Sequence, residues 1–167
     1  MFVLGIDPGL TRCGYGAVRR EGRALVAVAA GVLTTAPATP LPERLAALQT
    51  GVRALLLELA PDVVAVERLF FQANVRTAMS VGQASGVALA EAVNAGCVVV
   101  QYTPNEVKLA VTGYGAAPKE QVQRMVQAQL GLTERPRPAD AADALALALC
   151  HHAVAPLRLR VDRAAAR

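Results

Sequence analysis

The sequence predicts an α/β fold in which helices flank a five-stranded mixed sheet. Three strand-like segments, 2–6, 15–19 and 25–34, follow one another, and Glu21-Gly22 lies between the last two as a hairpin turn. They predict an antiparallel meander. In the rest of the chain, strand-like and helix-like segments alternate, which is typical of parallel strands joined by helices.

Apolar residues with the 3.6-residue period of a helix define the later elements. Asn74 is a candidate N-cap for the longest helix, and Pro118 favours a helix start. Predicted helices are at 43–60, 74–94, 104–111, 118–130 and 139–153, and predicted strands are at 63–66 and 97–101.

Length and composition are those of a single domain with a real core. The chain has 167 residues, of which 54% are hydrophobic but only 4% aromatic. We expect one domain over 1–155, followed by a flexible basic tail over 156–167. The net charge of +4 favours a polyanionic partner.

Cysteine usage and hydropathy indicate a cytoplasmic protein. The three cysteines, Cys13, Cys97 and Cys150, are widely spaced and form no CxxC motif, a pattern that fits a reducing compartment. Asp7 interrupts the first apolar run too early for a signal peptide. No apolar run is long enough to cross a bilayer, so no membrane partner is expected.

Four acidic residues occupy positions suited to metal binding. Asp7 and Glu67 each follow an apolar strand directly, and parallel neighbouring strands would bring them to one edge of the sheet. Asp140 and Asp143 are three residues apart on an otherwise apolar helix, so they share one face. Burying such carboxylates is costly unless something compensates their charge. A hard divalent cation does so, and oxygen ligands suit Mg²⁺ or Mn²⁺. The layout matches two-metal phosphodiester chemistry.

Each acid also has a simpler interpretation. Asp140 alone fits a helix N-cap, Asp7 fits a turn former before Pro8, and Glu67 fits a surface ion pair with Arg68. The combination of two strand-end acids with an acidic pair on an apolar helix is more specific than any one of them.

In these acids and the segments around them, the sequence resembles the RuvC family, the bacterial Holliday junction resolvases of the RNase H-like superfamily. The resemblance covers residues 2 to about 155. The matching segments are GIDPGLTRCGYG at 5–16, VAVERLFFQANVRTAMSVGQASGVAL at 64–89, VKLAVTGYGAAPKEQV at 107–122 and ADAADALALAL at 139–149.

The resemblance implies a homodimer that cuts opposed strands of a four-way DNA junction symmetrically, with two Mg²⁺ or Mn²⁺ ions per active site. It also implies RuvA and RuvB, the branch-migration proteins, as partners. It assigns metal binding and catalysis to Asp7, Glu67, Asp140 and Asp143, and DNA contacts to Phe70, Lys108 and Lys119.

The residues themselves leave alternatives at the DNA contacts. Lys108 and Lys119 are the only lysines, and they are either phosphate ligands or ordinary solvated side chains. Phe70 and Phe71 are adjacent in an aromatic-poor chain. Either one is exposed and stacks on an unpaired base, or both pack under the loop.

Two further patterns also have competing interpretations. Small residues recur every four positions at Ala78, Gly82, Gly86 and Ala90, which permits close approach of either a partner helix or the chain's own sheet. Cys150-His151-His152 suggests zinc, but adjacent helical residues point in different directions, which disfavours a shared ion.

Three other functions compete with junction cleavage. A sugar-kinase or actin-like ATPase opens with a similar turn but needs a second domain and a second phosphate loop. A DNA-binding module without catalysis would be expected to lack one of the four acids. Another nuclease of the same superfamily remains open, and only substrate testing distinguishes it.

Overall fold

A computed structural model describes residues 1–68 and 75–165, with side chains described for 1–68 and 78–156. The elements in chain order are β1 (Phe2–Asp7), β2 (Arg12–Glu21), β3 (Ala24–Thr34), α1 (Leu41–Leu59), β4 (Val63–Glu67), α2 (Val75–Asn94), β5 (Val98–Tyr102), α3 (Pro104–Thr112), α4 (Lys119–Gln129) and α5 (Ala139–Ala165).

The strands form one five-stranded sheet in the order β3-β2-β1-β4-β5. β2 is antiparallel to both β1 and β3, whereas β1, β4 and β5 run parallel. Gly22 closes the β2–β3 turn with a φ of 60°, which glycine adopts without steric cost. The predicted fold class is confirmed.

Alternation along β1 divides the core into two layers. Phe2, Leu4 and Ile6 pack in the layer that contains buried residues of α1 and α2. Val3 packs in the opposite layer, with buried residues of α3, α4 and α5. Since successive strand residues face opposite sides, Asp7 belongs with Val3 on the α5 side.

Glycines in β1 and β2 let the backbone of α5 lie directly on the sheet. A Cβ on Gly5 would overlap the carbonyl oxygen of Ala144, and one on Gly14 would overlap that of Asp140. A Cβ on Gly16 would lie 2.6 Å from the Leu145 nitrogen. The helix is therefore held closer to the sheet than side chains would allow, and its height and register are set by backbone contact.

Most predicted elements lie within a few residues of their observed bounds, but α5 does not end near Ala153 as predicted. It continues to Ala165 and contains Pro156. Pro156 has no N–H for the carbonyl of His152, four residues earlier. Arg20 Nη2 lies 3.5 Å from that oxygen and donates to it. No helix in the described part of the chain has the length and apolar character needed to cross a membrane.

We predict that Gly5→Ala lowers the free energy of unfolding by at least about 1–3 kcal/mol, because the methyl group cannot fit beneath α5. Denaturant unfolding measures this. Gly115→Ala is the matched control, because its added Cβ would lie 3.6 Å from the Asn105 carbonyl oxygen, an ordinary contact distance. Equal stability of wild type and Gly5→Ala would contradict the close packing of α5.

Candidate active site

Two of the four acids lie side by side where β1 and β4 end. Ile6 pairs with Val66 in parallel register, so Asp7 and Glu67 follow as neighbours on the same edge. Both face the α5 side, and a hydrogen bond joins their carboxyl groups. The interpretation of Glu67 as a surface partner of Arg68 is therefore not supported.

The other two acids come from the start of α5. Asp140 and Asp143 are the second and fifth residues of the helix. The close contact between Gly14 and the Asp140 backbone places this end of the helix over the ends of β1 and β2, because Gly14 pairs with Asp7. Two strands and one helix thus direct four carboxylates to one edge of the sheet.

Both helix acids are held by cations from other elements. Lys119 Nζ donates to Asp143 Oδ2 at 2.7 Å. Arg12 Nε and Nη2 donate to Asp140 Oδ2 at 3.0 and 2.9 Å. Asp140 is the second residue of the helix, and the Ala141 amide donates to the Pro138 carbonyl oxygen. Its side chain therefore pairs with Arg12, and the alternative interpretation of Asp140 as a helix N-cap is not supported.

A cleft of about 390 Å³ brings most of the predicted site residues together. Asp140 is outside this lining and lies toward β2, beside Arg12. The lining includes three predicted acids and both lysines, namely Asp7, Glu67, Asp143, Lys108 and Lys119.

Burial and nearby carboxylates raise the pKa values of the two strand-end acids, Asp7 and Glu67. Burial, followed by the negative charges of Glu67 and Asp143, raises the pKa of Asp7 to about 7. Burial is also the main reason that the pKa of Glu67 is raised. A carboxyl group that is half-protonated near neutral pH is one whose charge lacks a sufficient counterion.

The two lysines reach the cleft from α3 and α4. Thr103 and Glu106 form a capping box at the start of α3, which fixes the helix that carries Lys108. Lys119 is the first residue of α4. The hydrogen bond to Asp143 is the main reason that the pKa of Lys119 is raised, so Lys119 keeps its charge.

The acidic cluster fits a divalent cation by its chemistry. Its donors are carboxylate oxygens, which hard cations prefer, and their uncompensated charge is evident from the raised pKa of Asp7. Across residues 1–68 and 78–156, no three acidic, histidine or cysteine side chains are already grouped to hold a cation. The bonds from Arg12 and Lys119 engage the Oδ2 atoms of Asp140 and Asp143, and each carboxylate has a second oxygen that can bind a cation.

Two sequence-based interpretations have different outcomes, and one residue of the site was not predicted. Phe70 lies outside the described residues. His151 Nδ1 lies 2.8 Å from Tyr102 Oη, and His152 Nε2 lies 3.1 Å from the Val18 carbonyl oxygen, so the two rings point to different partners. Sequence reasoning missed Arg12, although a basic residue close after the GIDPG turn was a usable signal.

Comparison with known proteins identifies close relatives. Residues 3–151 match the family model described as "Crossover junction endodeoxyribonuclease RuvC". The protein of that name from Chloroflexus aggregans is 54% identical over 156 residues, covering 93% of this chain and 95% of the relative. The one from Moorella thermoacetica is 52% identical over 168 residues, covering 100% of both chains.

Solved structures agree with the sequence relatives. The structure of Thermus thermophilus RuvC has a TM-score of 0.87 and 42% identity, covering 94% of this chain and 96% of that one. T. thermophilus RuvC in complex with a Holliday junction substrate has a TM-score of 0.86 and 40% identity, with the same coverage. The yeast mitochondrial resolvase Ydc2, at 15% identity and a TM-score of 0.62, shares the fold.

We predict that Asp7 makes the metal-free protein less stable as the pH rises from about 4 to about 7. The pKa of Asp7 is about 7 in the folded chain, compared with the ordinary value of 3.8 expected in the unfolded chain. Between these two values the folded state binds more protons than the unfolded state, so a rise in pH favours unfolding. Thermal unfolding in EDTA at several pH values measures the change. Asp7→Asn should flatten the profile and raise the Tm near pH 8, and Mg²⁺ should stabilise the wild type there.

The control for this comparison is Glu58→Gln, which removes a carboxylate from an exposed position of α1. It should keep the wild-type dependence on pH. His152, whose pKa is lowered mainly by burial, acts with the opposite sign below about pH 6.5, and it is unchanged in both variants. Superimposable profiles for wild type and Asp7→Asn would contradict the raised pKa of Asp7.

Proposed function

Because the chain belongs to the RuvC family of crossover junction endodeoxyribonucleases, we propose that the carboxylate cleft is its cutting site. The protein is a nuclease that resolves four-way (Holliday) DNA junctions. The observation that supports this site most strongly is the convergence of Asp7, Glu67 and Asp143 with both lysines in one cleft.

Nucleases of this family depend on divalent metal ions, and the four acids are our proposed ligands. We further propose two ions per site, Mg²⁺ or Mn²⁺, because four carboxylates spread over three elements suit a pair of hard cations. When bound, such ions lower the pKa of an attacking water and neutralise charge on the phosphate and the leaving oxygen.

The chain's own residues position and neutralise the DNA. Lys119 donates one N–H to Asp143 and has two more for a phosphate oxygen. Lys108 lines the same cleft from the neighbouring helix. Asp7 and Glu67 line the cleft from the ends of β1 and β4. We propose that Lys108 and Lys119 bind the DNA backbone there.

A substrate comparison tests the function. The protein is incubated with a mobile four-way junction, a linear duplex and an RNA–DNA hybrid, each with and without Mg²⁺ or Mn²⁺. We expect cutting of the junction alone, and only with the cation. Preferential cutting of the hybrid would instead identify another nuclease activity of the same fold.

We propose that α2 forms a two-fold interface, which would place two sites for paired, symmetric incisions. Ala84, Ala88 and Ala92 are the small residues of α2 that face its own core. Among the described residues, an added Cβ on Gly82 or Gly86 instead meets no atom of another element within 4 Å. The small-residue stripe is therefore free to meet a partner helix.

Three further proposals rest on the sequence and the family resemblance. Phe70 stacks on an unpaired base at the junction, since it follows Glu67 by three residues in an aromatic-poor chain. RuvA and RuvB are partners in junction processing. The protein works in the cytoplasm, in keeping with its three free cysteines.

We predict that Asp7→Asn reduces junction cutting by more than about 100-fold, because loss of a direct ligand should exceed the loss of an outer-shell partner. Junction binding should persist or tighten, since less negative charge faces the phosphates. Gel-based cleavage and binding assays measure both. Glu58→Gln makes the same change of charge on exposed α1 surface and should behave as wild type. Normal cutting by Asp7→Asn would refute its assignment to the site.

We predict that Gly82→Leu converts a dimer to monomers, because the added side chain pushes the partner helix away. Sedimentation at micromolar concentration measures this. Gln123→Leu on α4 is the control, because it introduces the same apolar side chain away from α2. It should leave the dimer intact. A wild type that sediments as a monomer would count against the α2 interface.

A further inference from the structure

Arg44 is a cation near the active site, and its side chain donates to two threonines. It lies in the first turn of α1, where the helix dipole opposes positive charge. Its Nε donates to Thr35 Oγ1 at 2.9 Å, and its Nη2 donates to Thr11 Oγ1 at 2.7 Å. No carboxylate in the part of the chain with described side chains forms an ion pair with it.

The surroundings of Arg44 hold its guanidinium in one place. Thr35 also donates to the Leu10 carbonyl oxygen at 2.5 Å, and its amide donates to the Thr11 carbonyl oxygen at 3.2 Å. The side chain is partly buried. A fixed and partly desolvated cation with neutral partners favours an anion, because each uncompensated charge in such a position is destabilising.

Two adjacent residues, Thr11 and Arg12, connect Arg44 to the carboxylate site. Thr11, which binds Arg44, is followed by Arg12, whose guanidinium is bound to Asp140. Arg12 uses its Nε and one N–H of Nη2 there, so three of its five N–H donors remain. Arg44 likewise uses only two donors in its threonine bonds.

We propose that Arg44 and Arg12 form a phosphate-binding site for junction DNA on the β2 side of the carboxylate cleft. Lys108 and Lys119 lie on the other side, on α3 and α4. A strand that crosses the acids thus meets cations before and after the scissile phosphate. This inference rests on the proposed function, because it takes DNA as the anion.

Salt dependence of junction binding tests the proposal without cleavage. A fixed four-way junction is titrated in EDTA at several NaCl concentrations, and the slope of log K against log [salt] is measured. Each phosphate contact contributes about 0.9 to that slope. Arg44→Gln and Arg12→Gln should each make the slope shallower by about 0.9, and the double variant by about twice that amount.

Two controls separate a phosphate contact from a structural role. Arg23→Gln makes the same change of charge at the β2–β3 turn, at the opposite end of β2 from Arg12, and should keep the wild-type slope. Arg44→Lys removes the paired threonine bonds but keeps the charge. It should preserve most of the slope even if its Tm falls.

The opposite pattern would overturn the proposal. If Arg44→Gln has the slope of Arg23→Gln while both Arg44 variants lose Tm equally, Arg44 only braces the Leu10–Arg12 loop. The junction-cutting assay with wild type distinguishes this failure from that of the proposed function. Wild-type cutting with an unchanged Arg44→Gln slope rejects the phosphate site alone, whereas a wild type that does not cut junctions rejects the function.

Discussion

The backbone contact between α5 and the glycines of β1 and β2 determines where half of the acidic cluster lies. A helix that packs through side chains is separated from the sheet by them and can shift as they repack. Here Gly5, Gly14 and Gly16 leave no room for such adjustment. Because Asp140 and Asp143 belong to the first turns of that helix, their distance from Asp7 is set by the main chain.

Much of the site could be predicted because local rules place its acids. Two strands that end at adjacent positions of a parallel pair bring Asp7 and Glu67 together, and the three-residue spacing aligns Asp140 with Asp143. No local rule predicts the Arg12–Asp140 pair, whose partners are 128 residues apart. The role of the glycines in β1 and β2 could not be predicted from the sequence either, because it depends on the contact of these strands with α5.

The end of α5 shows a different limit of sequence-based reasoning. The sequence predicted a helix end near Ala153 and a flexible basic tail over 156–167. Pro156 is also unfavourable in a helix interior. The helix nevertheless continues to Ala165, and Arg20 donates to the His152 carbonyl, for which Pro156 has no N–H. A tertiary contact thus compensates a local penalty that the sequence alone presents as a helix end.

The ion pairs of Lys119 with Asp143 and of Arg12 with Asp140 have a consequence for the order of events on the substrate. A bare cluster of four acids would repel a polyanion until cations arrived. Here the enzyme carries its own countercharges, so the cleft is already partly neutralised before any cofactor is loaded. DNA search and cofactor loading can then proceed in either order. A nuclease of this kind can bind DNA in its metal-free state, so that the supply of cations affects cleavage separately from DNA binding.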